Sequence, residues 1–114
     1  MQYMLLIHSG DAPEQWNNLG EDEQKAILGE YLAISRSPGV IGGDQLQPPQ
    51  TAATVRVQDG RTVTTDGPFA ETKEVLGGFF LVEADDIDGA LSIAGKIPAA
   101  RMGGSVEVRP VVER

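Results

Sequence analysis

A chain of 114 residues makes one domain with one core of limited depth, and its 40% hydrophobic and 23% charged residues are ordinary for a globular protein in water. A formal charge of -8 and an isoelectric point near 4.4 repel phosphate backbones and anionic lipid, so neither nucleic acid nor a membrane surface is an expected partner. With no cysteine, disulfides, thiol catalysis and cysteine metal sites are excluded.

The opening residues, Met1 to Ile7, lack a basic flank and are too short for a signal peptide or a membrane span. A cytoplasmic location is therefore expected. Tyr3 to His8 reads as a strand that is apolar on both faces. Tyr3, Leu5 and Ile7 form one set, and Met4 and Leu6 the other, which His8 ends. Ser9-Gly10-Asp11 breaks the strand. Asp11 is placed to cap a short helical turn carrying Pro13, Trp16 and Leu19.

A longer helix is predicted over Gly20 to Ser35. Glu21, Asp22 and Glu23 load its start with the charge that the helix dipole favours. Ile27, Leu28, Tyr31, Leu32 and Ser35 fall at helical spacing and define its inner face. Ser37-Pro38-Gly39 stops it. Val40 to Asp44 is a brief strand whose glycines imply a bulge or a close backbone approach.

A loop follows through Pro48-Pro49. Thr54 to Val57 and Thr62 to Thr64 then flank Gln58-Asp59-Gly60, a hairpin signal. A two-residue turn would set Arg56 opposite Val63. A three-residue turn with Gly60 left-handed would set Val55 there, pairing apolar with apolar, and is the expected register. The hairpin is polar on its other face, so it is expected at a sheet edge or projecting from the sheet.

Gly78 to Ala84 is the most apolar run, with Phe79 and Leu81 on one face and Phe80 and Val82 on the other. Asp85 and Asp86 offer helix caps. Ile87, Ala90, Leu91, Ala94 and Ile97 form the second helical stripe, ended by Pro98. Ser105 to Val111 alternates as a closing strand. Without the hairpin the order is βαββαβ, the ferredoxin-like order, with two helices on one face of an antiparallel sheet. Two helices cover one sheet face only, yet two strands are apolar on both. A second copy of the chain, packed sheet to sheet about a two-fold axis, is the expected cover.

Asp66-Gly67-Pro68-Phe69-Ala70-Glu71-Thr72-Lys73-Glu74, followed by Leu76-Gly77-Gly78-Phe79-Phe80, resembles the signature of YCII-related proteins of the DGPF branch. Tyr3 to Ile7, Ala53 to Arg56 and Val106 to Val111 fit the same pattern, so the resemblance covers essentially the whole chain. It implies a ferredoxin-like α+β subunit that dimerises through its sheet, within the wider dimeric α/β-barrel group of small lyases, isomerases and monooxygenases. It also implies an acid–base pair of a histidine ending the first strand and an aspartate of the central loop, here His8 and Asp66. In the DGPF branch tyrosine also occupies the histidine position. Some relatives occur joined to or beside sigma factors, which implies a regulatory or accessory role as the competing class.

His8 is the single histidine, and an ordinary imidazole, with a pKa of about 6.5, suits general acid–base work. Its structural alternative is a strand-end histidine bonded to backbone. Asp66 before Gly67-Pro68 is equally suited to holding a turn, with Gly67 at positive φ. Phe69 and Trp16 are candidate walls of an apolar cleft, against core packing as the alternative. Lys73 and Arg56 are candidate contacts for a polar substrate, against solvated charges. Glu71, Glu74 and Arg109 have the same two readings. Gly77-Gly78 precedes no helix start and is read as close packing rather than a phosphate cradle. One histidine and dispersed carboxylates show no metal-ligand spacing, so neither metal nor organic cofactor is expected. Two functions follow. The first is a cofactor-free enzyme for elimination or isomerisation of a small organic molecule, with His8 as acid or base and Asp66 orienting it. The alternative is a non-catalytic homodimeric ligand-binding or regulatory module, with a sigma factor as a candidate partner.

Overall fold

A computed structural model describes residues 1–67 and 75–114. The chain is α+β. Its strands are β1 (Gln2–His8), β2 (Val40–Gln45), β3 (Ala53–Gln58), β4 (Arg61–Asp66), β5 (Leu76–Glu83) and β6 (Ser105–Pro110). The α-helices among the described residues are α1 (Ala12–Asn17), α2 (Glu21–Ser35) and α3 (Ile87–Ala94). Four strands form one antiparallel sheet in the order β2-β5-β1-β6, and β3 and β4 form a second sheet of their own.

The alternation read in the sequence decides which side of the sheet each residue faces. Tyr3, Leu5 and Ile7 of β1 and Phe80 and Val82 of β5 are buried, and they pack with Ile34 of α2, Ala90 and Ala94 of α3, Ile97 and Ala99. Leu5, Val82 and Ile97 are completely buried, each worth about 1.5–3 kcal/mol of transfer free energy. Met4, Leu6 and His8 of β1 and Phe79 and Leu81 of β5 point to the opposite face and are half-buried. The register lines up Leu6 with Phe79 and Met4 with Leu81 in two apolar rows on that open face. The molecule measures 49 × 41 × 19 Å, thin enough for one sheet and one layer of helices.

The inner face of α2 differs from the expected stripe. Ile27 and Ile34 are buried and Tyr31 packs beside the core, while Leu28 and Leu32 are 56% and 49% exposed. Positions 27, 31 and 34 are one turn apart, and Leu28 and Leu32 fall on the flank of that line. In α3, Ala90 and Ala94 face inward and Leu91 is exposed. The Asp86 side chain caps α3 by accepting from the Gly89 amide at 3.1 Å, whereas Asp11 makes no side-chain cap for α1.

Glycines set the close approaches where expected. The β2–β5 register shifts between Val40 and Gly42, and Gly43, at φ +149°, lies directly on the Phe79 carbonyl and Phe80. A Cβ on Gly77 would strike Ser9 Oγ, and one on Gly78 would meet the Asp44 carbonyl at 3.0 Å.

The hairpin register corrects the expected one. Arg56 faces Val63 and Gln58 faces Arg61, across a two-residue turn in which Asp59 and Gly60 both have positive φ, at 51° and 76°. Such a turn matches the twist of the flanking strands. The Val–Val pairing assumed for the longer turn offers little here, because Val55, Val57 and Val63 are 60%, 70% and 40% exposed.

Candidate functional site

β1 carries His8 to the end of the open face, where it is bracketed by Leu76 of β5 and Ser105 of β6. The β1–β5 ladder shifts register between Ile7 and His8, and the Ser9 amide bonds the Val75 carbonyl at 2.7 Å. The segment entering β5 is thus tied to the residue after His8. From the other side Gly104 presses on the carbonyl of His8, an approach that leaves no room for a side chain. The backbone at His8 is therefore fixed on both flanks, which suits a positioned functional group.

The imidazole has two unlike nitrogens. Nε2 lies 3.3 Å from Glu107 Oε1, and Nδ1 is buried with no hydrogen-bond partner among the described residues. The His8 side chain is 22% exposed and Glu107 50%. The contact is diagonal across the ladder, since Leu6 stands opposite Glu107 and Ser105 opposite His8. Arg109, two residues along the same face of β6, brings Nε to 3.7 Å from Glu107 Oε2. Arg109, Glu107 and His8 therefore form a line beside the apolar rows of Leu6–Phe79 and Met4–Leu81.

Asp66 ends β4 in the separate two-stranded sheet, opposite Ala53, and is exposed. Among the described residues no hydrogen bond or ion pair joins it to His8. The turn after it is held by backbone and a hydroxyl: the Gly67 amide bonds Ala52 O at 2.6 Å, Thr54 Oγ1 donates to Gly67 O at 2.7 Å, and Gly67 has φ +95°. Trp16 is half-buried on α1, and its carbonyl accepts from Gln24 Nε2 at 2.9 Å. Arg56 lies on the hairpin across from Val63. Phe69, Lys73, Glu71 and Glu74 lie outside the described residues. No group of three or more metal-binding side chains occurs among the described residues.

Glu107 is the residue that sequence reading missed. The alternation Glu107-Val108-Arg109 already placed the two charges on one face. What was lacking was the β1–β6 register that sets Glu107 diagonal to the histidine.

Fold and site together define a small two-layer α+β protein with one sheet face free of the described α2 and α3 helices and a histidine–carboxylate contact at its edge. The chain belongs to the YCII-related domain family, whose model matches residues 1–114. An uncharacterised protein of Rhizobium meliloti (strain 1021) is 35% identical, over 97% of this chain and 92% of that protein.

Proposed function

We propose that this is a cytoplasmic, ferredoxin-like member of the DGPF branch that pairs through its open sheet face and runs cofactor-free acid–base chemistry on a small organic molecule at the His8 end. The strand order β2-β5-β1-β6 supports the fold assignment, because it sets the first and third strands of a βαββαβ unit at the centre. The half-buried rows Leu6–Phe79 and Met4–Leu81 support the pairing, since an apolar patch with a charged rim fits a second identical patch. No described helix is long and apolar enough to cross a membrane, which fits the location.

One observation carries the catalytic reading: the single imidazole sits on rigid backbone at the margin of an apolar surface, with a carboxylate 3.3 Å away. Proton removal beside a carbonyl, leading to elimination or isomerisation, needs little more than an acid–base pair and an apolar wall. Asp66 is the second carboxylate of the proposal, with Trp16 and Phe69 as walls and Lys73 and Arg56 as contacts for a polar substrate. The test is a titration with small carbonyl compounds, read on the ring signals of the one histidine. The reading expects a saturable shift at His8 for some member of the panel. Ring signals that stay fixed across the panel would count against it.

A second reading, a regulatory or ligand-binding module without catalysis, draws on the hairpin. It forms its own sheet, exposes Val55 and Val57, and leaves a surface for a protein partner such as a sigma factor.

A further inference from the structure

His8 Nδ1, buried and without a hydrogen-bond partner among the described residues, and the contact of Nε2 with Glu107 together bear on where the proton of the neutral ring lies. An ionised carboxylate only accepts hydrogen bonds, so a bond to Glu107 requires the proton on Nε2. The other neutral tautomer would turn the Nε2 lone pair toward a carboxylate oxygen. It would also bury an N–H donor with no acceptor among the described residues, and an unmade buried hydrogen bond is costly. Arg109 Nε stands 3.7 Å from the far oxygen of Glu107, Oε2.

We infer that Glu107 is the carboxylate partner of His8 and holds the neutral ring as the Nε2–H tautomer, so that His8 meets a ligand as a hydrogen-bond donor. The ligand atom that takes the place of Glu107 at Nε2 must then be an acceptor, and a carbonyl oxygen of a small organic molecule fits. The displaced Glu107 carboxylate lies beside that oxygen. It takes the hydrogen of the adjacent carbon as a proton, the C–H electron pair moves toward the carbonyl oxygen as an enolate, and the Nε2–H bond and the Arg109 charge stabilise the new anion. The proton returns from Glu107 to the same carbon or, in a conjugated substrate, to a remote one. This role rests on the acid–base reading above; the tautomer does not.

The test uses the intact protein labelled with nitrogen-15 at its single histidine, at about pH 8.5, roughly two units above the ordinary histidine pKa of about 6.5. Nitrogen–proton correlation spectra should show one tautomer, with the proton on Nε2 and that proton protected from solvent exchange. Glu107→Gln, which keeps an acceptor oxygen, should preserve the pattern. Glu107→Ala should mix the tautomers and expose the Nε2 proton to exchange. A wild-type spectrum with the proton on Nδ1, or a Glu107→Ala spectrum that superposes on wild type, overturns the assignment. Because no ligand is present, a failed tautomer test condemns the His8–Glu107 pairing alone. An Nε2–H tautomer without any proton-transfer activity would condemn the acid–base reading alone.

Discussion

Gly104 lies against the carbonyl oxygen of His8, and that contact ties the candidate site to the architecture of the sheet. A Cβ at this position would press on His8 O and come within 2.9 Å of Ser9 O and 3.0 Å of Ala99 O. These are backbone atoms held by neighbouring hydrogen bonds, Ala12 N to Ser9 O at 2.8 Å and Gly104 N to Ala99 O at 2.9 Å, so they have little freedom to yield.

Gly104→Ala should therefore destabilise the fold by about 1–3 kcal/mol, the range for overpacking a closed site. It should also displace the His8 ring signals. Urea unfolding and the histidine spectrum of the same variant check both. A variant of wild-type stability with an unmoved histidine would show that the backbone is looser here than the contacts imply.

The two adjacent phenylalanines should behave in opposite ways. Phe80 is 7% exposed in the core, so Phe80→Ala should cost about 3–5 kcal/mol without changing the assembly. Phe79 points to the open face, so Phe79→Glu should spare the core and break the pairing. Light scattering should report twice 12.1 kDa for wild type and a single chain for Phe79→Glu. Equal masses for the two proteins would refute the sheet-to-sheet dimer.

Tyr31 gives a prediction in pH. Burial pushes its phenol up from the ordinary value, outweighing a hydrogen bond with the backbone of Ala99. The folded state then holds this proton more tightly than the unfolded chain. Stability from this group is complete below the unfolded pKa of about 10 and is lost as pH rises through the higher folded value. Absorbance titration in a Tyr3→Phe background should show Tyr31 ionising above the free phenol. Ionisation at or below the free value would mean that the ring is more solvated than its place beside the core implies.

Much of the architecture was legible because it depends on local period. Tyr3 to Ile7 and Phe79 to Val82 are short runs apolar at every position, which marks β1 and β5 as strands with apolar residues on both faces. Asp86 as a cap and Gly77-Gly78 as a close approach follow from residue chemistry at fixed offsets. Readings that depended on what lies across a gap fared worse. The longer hairpin turn expected from the sequence rests on valines gaining from facing each other, but the hairpin is solvated and turn geometry decides its register. Helical period alone does not separate Ile34 from Leu28 and Leu32, and only the docked sheet selects the line through Ile27, Tyr31 and Ile34. Asp66, the carboxylate that the resemblance pairs with His8, ends β4 in the separate two-stranded sheet. Glu107 comes from the far end of the chain, through a diagonal contact that no local pattern encodes.

If the open-face end of β1 moves protons on a small carbonyl compound, as proposed, solvent-deuterium incorporation reads that transfer at the carbon itself. Wild type, His8→Ala and Glu107→Gln would be incubated in deuterium oxide with a panel of small keto acids and enones, and carbon-bound exchange followed by proton NMR. Wild type should accelerate the exchange of at least one member. That acceleration should fall at least about tenfold in either variant, because general acid–base groups typically contribute 10²–10⁴-fold, while thermal midpoints stay close to wild type. Exchange at the solvent rate in wild type across the panel, or acceleration that survives in His8→Ala, would contradict it.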